Sequence, residues 1–311
     1  MHLRSFRADI LMLLTAAIWG TAFVAQRAGM EYVGPFTFNA VRFALGAVSL
    51  LPFLLLKTEG PKDLPSRSPG YRRGQLLFYG FCAGTILFLG SSLQQVGLVY
   101  TTAGNAGFIT GLYVILVPMI GLFFRQRAGT GVWIGAVLAV AGLYFINETA
   151  DFSLSFGDSL VLICAFFFAA HVLLIGWLSP RTATVPLSII QFFVCSLWSF
   201  TFVFWKEELV LSAILDAAVP ILYGGIGSVG IAYTLQVLGQ KDAPPGHAAI
   251  ILSLESVFAL LGGWLLLSEQ VSFSKLTGCF LMLAGMLSAQ MQRYRRKGSE
   301  ITSSENTLSQ S

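Results

Sequence analysis

A few ionisable and strongly polar side chains lie in stretches where an apolar sequence leaves little reason for them. Glu255 falls at the middle of the apolar block 243–267, Arg42 lies inside 36–56, His171 inside 157–178, and His247 opens the block that contains Glu255. Each can do a specific kind of chemistry. A buried carboxyl favours its neutral form, so Glu255 is suited to taking up and releasing a proton. A guanidinium binds carboxylates through two parallel hydrogen bonds, which gives Arg42 a natural anionic partner in a ligand or in Glu255. The competing reading for Glu255 is a glutamate locked to a neighbouring helix. For Arg42 it is a side chain that snorkels to an interface about six residues away. Ala248 and Gly262 share the helical face of Glu255 and leave space beside it.

Further polar residues recur at helical spacing. Thr15, Trp19, Ala22 and Gln26 share one face. Cys164, Phe168 and His171 form a second stripe of an aromatic and a polar group. Gln94, Gln95 and Gln236 sit toward the ends of their blocks, while Asn105 and His247 begin theirs, where free backbone N–H groups hold anions. Tyr113, one turn after Thr110, and Tyr233, on the face of Gln236, complete the candidates. Trp19, Gln26, Arg42, Gln94, Asn105, Tyr113, His171, Tyr233, Gln236, His247 and Glu255 are thus expected to line one cavity. Helix capping and interhelical hydrogen bonding are the alternative for the amides and His247.

The elements that must position them are set by composition. The chain has 311 residues, of which 55% are hydrophobic and 11% charged, with a mean hydropathy of +0.75. A soluble domain carries about 25% charged residues, so a soluble globular protein, a disordered chain and a nucleic-acid binder are excluded. A helix crossing a bilayer needs roughly 20 apolar residues. Blocks of about that size occur at 8–28, 36–56, 74–97, 101–123, 131–147, 157–178, 184–204, 217–238, 243–267 and 275–292. The expectation is an all-α integral membrane protein with ten transmembrane helices. With the N-terminus inside, the inside loops and tail hold fifteen of the 19 basic residues, among them Arg4, Arg7, Lys57, Arg72, Arg73, Arg125, Arg127 and Arg293. Glu148, Asp151, Glu207, Glu208 and Asp216 fall outside. Cytoplasmic loops retain Lys and Arg, so both termini are expected in the cytoplasm. The first block is long for a signal peptide and has an internal counterpart, so it is read as a helix that stays.

The sequence repeats. Shifted by 149, Asp9-Ile10-Leu11 falls on Asp158-Ser159-Leu160 and Arg42-Phe43 on Gln191-Phe192. Shifted by 142, Leu93-Gln94 falls on Leu235-Gln236 and Tyr113 on Glu255; near that shift Gly135 and Gly142 fall on Gly278 and Gly285. The drop in offset is read as a longer loop around 57–73. Residues 1–147 are expected to form one five-helix repeat with a cytoplasmic N-terminus, and 157–292 a second. An odd number of helices inverts the second copy, as in carriers that rock around a central site. The tail 298–311 is expected to be disordered and cytoplasmic. Glycines 224, 225, 227 and 230 are expected to permit close contact or bending, and Pro118 to kink its helix.

Ala16-Ala17-Ile18-Trp19-Gly20, the run Asn105-Ala106-Gly107-Phe108-Ile109-Thr110-Gly111, and Leu254-Glu255-Ser256-Val257-Phe258-Ala259 followed by Leu267-Ser268-Glu269 resemble the drug/metabolite transporter superfamily, and within it the ten-helix EamA-type permeases. Ser256 stands where that family usually has Pro. The resemblance covers about residues 8–292. It implies a carrier of the bacterial inner membrane exporting amino acids or other metabolites. It also implies a cavity walled mainly by the first, third, fourth, sixth, eighth and ninth helices, with the fifth and tenth outside the path.

The leading expectation is therefore a secondary transporter, outward-directed, working by alternating access and coupled to protons through Glu255. A multidrug efflux carrier, an uncoupled facilitator and, outside transport, a membrane scaffold or enzyme are the alternatives. No phosphate-binding GxxxxGK[ST] loop and no metal-ligand pattern is present, so no cofactor, metal or enzymatic activity is expected. The expected partners are a small-molecule substrate and the lipid bilayer, with a homodimer as an open assembly state and no nucleic acid.

Overall fold

The computed structural model describes residues 2–55, 73–101, 103–125, 128–147, 155–267, 272–288 and 291. The expected tail at 298–311 and the loop around 57–73 lie outside the described residues. Among the described residues the chain is helical with no strand. Three long helices open each half: α1 (His2–Gly29), α2 (Pro35–Leu55) and α3 (Arg73–Tyr100), then α7 (Phe156–Leu178) and α8 (Thr184–Lys206). The third of the second half follows a short α9 (Leu211–Asp216) and is composite: α10 (Ala218–Leu222), a π-helical run Tyr223–Tyr233, and α11 (Thr234–Gly239). These six are long and apolar enough to cross a membrane. The remainder are shorter: α4 (Ala103–Gly111), α5 (Tyr113–Phe123) and α6 (Thr130–Asn147) in the first half, then α12 (Pro245–Leu252), α13 (Glu255–Leu267) and a final α14 (Phe273–Ser288).

Local chemistry sets the starts. Ser155 caps α7 by accepting from the Asp158 N–H, and the Asp158 carboxylate accepts from the Ser155 N–H, a reciprocal pair that satisfies two end donors. Pro35 and Pro245 open α2 and α12, where a missing N–H costs nothing. The Glu207 carboxylate, at the end of α8, accepts from the Phe36 and Thr37 N–H groups at 2.9 and 2.8 Å and from the Thr37 hydroxyl. It thereby ties the second half to the start of α2.

The two halves pack as mates. A methyl group on Gly142 would meet the Gly278 carbonyl and Met282; one on Gly285 would meet the Gly135 carbonyl and Ala139. Each contact is the other with the halves exchanged. Likewise Gly97 abuts Val161 and the Gly157 carbonyl, while Gly239 abuts Met12 and the Ala8 carbonyl. Such reciprocity is what a pseudo-two-fold axis between the halves produces. The recurrent glycines let backbones touch where lipid tails offer no hydrophobic drive for association.

Pro118 lies inside a continuous α5, and the interruption falls six residues earlier. Leu112 separates α4 from α5, with its N–H donating to the Ile109 carbonyl three residues back. Ser253 and Leu254 break α12 from α13 in the same way, through Leu254 N–H to the Ile251 carbonyl. The breaks are symmetry equivalents, so the expected kink is replaced by a tight turn that both halves share.

Gly142→Ala places its methyl 2.5 Å from the Gly278 carbonyl oxygen, and backbone must yield. Overpacking of this kind costs about 1–3 kcal/mol, more than alanine's gain of about 1 kcal/mol in helix propensity. Thermal unfolding of the purified protein should show a lowered melting temperature for Gly142→Ala. Gly74→Ala, with open space around it, should be neutral or stabilising.

Candidate functional site

The tight turns at Leu112 and Leu254 decide where the central side chains go. Tyr113 and Glu255 are the first residues of α5 and α13 and turn into one cavity between the halves. The first half contributes Trp19, Phe23 and Gln26 from α1, Arg42 from α2, Gln94 from α3, Thr110 from α4 and Tyr113. The second half contributes Phe168, His171 and Val172 from α7, Ser228 and Tyr233 from the π-helical run, Gln236 from α11 and Glu255. Trp19/Phe168, Phe23/Val172, Gln94/Gln236 and Tyr113/Glu255 are repeat mates.

The structure thus brings together nine of the expected residues: Trp19, Gln26, Arg42, Gln94, Tyr113, His171, Tyr233, Gln236 and Glu255. The side chain of Asn105 lies outside the described residues. His247, expected in the cavity, is not among its lining residues. Its Nε2 pairs with Asp9 Oδ1 at 2.8 Å, both side chains being buried, so it joins α12 to α1 instead of facing the cavity. Phe23, Val172 and Ser228 were missed. Phe23 sits one turn from both Trp19 and Gln26, which was a usable signal, and Val172 is its repeat mate. Ser228 lies in the π-helical run.

The walls are held by specific bonds. Trp19 Nε1 donates to the Ser228 carbonyl at 3.2 Å, and its ring lies against Tyr233 with centroids 4.6 Å apart. Gln94 Nε2 donates to the Thr110 hydroxyl at 3.1 Å. His171 Nε2 is 3.0 Å from Gln191 Oε1, which occupies Gln191, the repeat mate of Arg42. Arg42 itself is 3% exposed, so it does not snorkel. Its Nε donates to Asn39 Oδ1 at 2.9 Å and its guanidinium lies over Phe38 and Phe43.

Other groups facing the cavity are left without protein partners. Gln26 Oε1, the Tyr113 hydroxyl, both amide atoms of Gln236 and Glu255 Oε1 are buried and unbonded. The Tyr113 hydroxyl lies beside the Glu255 carboxyl. No ion pair joins Arg42 to Glu255. A buried polar group without a partner costs about 1–3 kcal/mol, so a cluster of them belongs to a surface that meets water or a ligand. The cavity leaves about 40 Å³ for water centres, room for about three waters. Among the described residues no group of His, Cys, Asp and Glu is placed to hold a metal ion.

Residues 6–148 and 155–289 each match the EamA-like transporter family. The chain belongs to the EamA-like transporter family. An uncharacterized transporter of Archaeoglobus fulgidus is 34% identical over 284 residues, covering 90% of this chain and 84% of that one. The uncharacterized transporter YetK of Bacillus subtilis is 26% identical over 293 residues, covering 90% and 85%. A solved crystal structure superposes with a TM-score of 0.76 over 93% of this chain and 98% of that chain; at 18% identity the likeness concerns the fold. The chain is therefore a membrane protein of a transporter family, and the double family match follows the two halves. Arg42 adds α2 to the walls that the resemblance implied; among the described residues, none of the lining side chains comes from α6 or α14.

The unbonded amide of Gln236 and the bonded imidazole of His247 predict opposite stability effects. Gln236→Leu should leave the melting temperature unchanged or raised while weakening whatever the cavity binds. His247→Ala deprives the buried Asp9 of its imidazole partner and should lower stability by about 1–3 kcal/mol. Thermal unfolding of both variants in one detergent checks the contrast.

Proposed function

We propose that the protein is a secondary carrier that exports small zwitterionic metabolites, amino acids among them, across the cytoplasmic membrane by alternating access. On this reading the shorter helices also span, giving ten crossings in two inverted halves with both termini in the cytoplasm. The observation that carries it is the presence of Arg42 and Glu255 within one cavity, one from each half and not bonded to each other. A zwitterion presents a carboxylate to a guanidinium and an ammonium to a carboxyl, and the free acceptors of Gln26, Gln236 and Tyr113 suit the remaining polar atoms.

Alternating access is supported by two latches across the halves. Asp9 of α1 holds His247 of α12, and its repeat mate Asp158 of α7 accepts from the Thr101 hydroxyl at 2.6 Å just before α4. Releasing one while keeping the other opens a single end. Proton coupling follows from Glu255, which meets the substrate in one state and a proton in the other. A second reading is favoured by the rings of Trp19, Phe23, Phe168 and Tyr233 around the same carboxyl: efflux of lipophilic cations.

Counterflow in proteoliposomes with labelled amino acids and labelled tetraphenylphosphonium separates these readings. Exchange of an amino acid, abolished in Arg42→Met, is the expected result; exchange of the phosphonium alone, insensitive to Arg42, replaces it with the second reading. In Glu255→Gln, exchange should persist at reduced rate and lose its dependence on pH. A pH profile unchanged from wild type removes the coupling role.

A further inference from the structure

The two mates α3 and α10–π–α11 differ in length between matched contacts. On α3, Gly84 abuts the Gln191 carbonyl and Val194, and Gly97 abuts Val161 and the Gly157 carbonyl. On the mate, Gly225 abuts the Arg42 carbonyl and Leu45, and Gly239 abuts Met12 and the Ala8 carbonyl. Every contacted residue of the first pair is the repeat mate of one in the second, at the same offset of 149. Gly84 and Gly225 are 141 apart, whereas Gly97 and Gly239 are 142 apart. The mate has gained one residue in between, and the gain coincides with the π-helical run Tyr223–Tyr233. A π-helical turn absorbs an extra residue while leaving the flanking helix in register. Across the equivalent stretch α3 is an uninterrupted α-helix.

The consequence appears in the cavity wall. α3 supplies Gln94 alone, whereas the lengthened mate supplies Ser228, Tyr233 and Gln236. Carbonyls of the π-helical run accept from the other half: Ser228 from Trp19, and Ala232 from the Thr15 hydroxyl at 3.1 Å. Tyr233 in turn lies between Trp19 and His171.

We propose that a one-residue insertion in Tyr223–Tyr233, relative to its mate α3, is the specificity-determining element of the cavity. It lets one side of a symmetric site present a backbone carbonyl and Tyr233 against Trp19. This rests on the cavity being the site of transport.

The test is deletion of Ile226, which lies in the run and points outward at 43% exposed, beside deletion of the exposed Leu89 in α3. Removing Ile226 restores the spacing that α3 uses, so the purified full-length variant should melt cooperatively within roughly 5 °C of wild type. Removing Leu89 breaks the register at Gly84 or Gly97, and that variant should fail to fold. In counterflow over a panel of amino acids, the Ile226 deletion should change the order of preferred substrates or lose about tenfold in rate, the worth of one or two hydrogen bonds. The insertion is overturned if the Ile226 deletion unfolds as the Leu89 deletion does. Its role in specificity is overturned if the folded deletion carries the same substrates in the same order at the wild-type rate. A wild-type chain that exchanges nothing from the panel overturns both that role and the transport reading, while the melting comparison still decides the insertion.

Discussion

Direct backbone contact between the halves governs the rest of the structure. With lipid tails as apolar as leucine, helices gain nothing by merely hiding apolar surface from one another, and close approach has to supply the attraction. Gly142 on Gly278, Gly285 on Gly135, Gly97 on Gly157 and Gly239 on Ala8 bring main chains together with no side chain between them. Because these contacts come in exchanged pairs, they fix which positions of one half face which of the other. Eight of the lining positions consequently form four pairs of repeat mates, and the cavity lies between the halves.

Within that symmetric frame the chemistry is unequal. Position for position, Glu255 stands opposite Tyr113, Arg42 opposite Gln191, and Trp19 opposite Phe168. Gln191 is held by His171, while Arg42 keeps its terminal nitrogens for the cavity by spending only Nε on Asn39. The result is one cationic and one acidic group on different walls. Desolvating two charges is costly when they do not meet, and on the proposed reading a zwitterion would offset that cost on binding. The paired turns at Leu112 and Leu254 contribute by setting Tyr113 and Glu255 at the starts of their half-helices, aimed inward.

Much of this was legible in residue types and spacing. Seven-residue glycine steps at 135/142 and 278/285 foretold tight packing, and the offset of 142 marked Tyr113 and Glu255 as repeat mates. Other features left no readable trace. Gly111 precedes the break at Leu112, but Ser253-Leu254 has no Gly or Pro beside it, and the eye goes instead to Pro118, which continues α5. His247 was read as a cavity residue because nothing in helical spacing reports a partner 238 positions away, and Asp9 had registered only as a marker of the repeat. The fall in offset was assigned wholly to the loop around 57–73. Matched contacts place it at 141 by Gly84 and 142 by Gly97, so one residue is returned within the π-helical run. Sequence alone hid that step because the run is rich in glycine and aligns almost equally well in either register.

Symmetry of form with inequality of chemistry also bears on how two access states would be weighted. Perfect mates would make the inward-open and outward-open arrangements equal in energy, and a carrier's resting preference would vanish. Here the latches at the two ends differ in kind. Asp9 is held by an imidazole, whereas Asp158 is held by a threonine hydroxyl and by the backbone of its own helix cap. A ligand shifts a two-state equilibrium only by its differential affinity for the two states, so whatever bias exists without ligand must come from such differences. The lengthened wall at Tyr223–Tyr233 adds a second source, because its carbonyl bonds to Trp19 and Thr15 join α1 to the other half on one side of the cavity. α3 has no matching π-helical carbonyls to offer α7. Helix α1 is therefore braced by both its latch at Asp9 and the π-helical run, whereas in the proposed alternating-access cycle its mate α7 would be under different restraints.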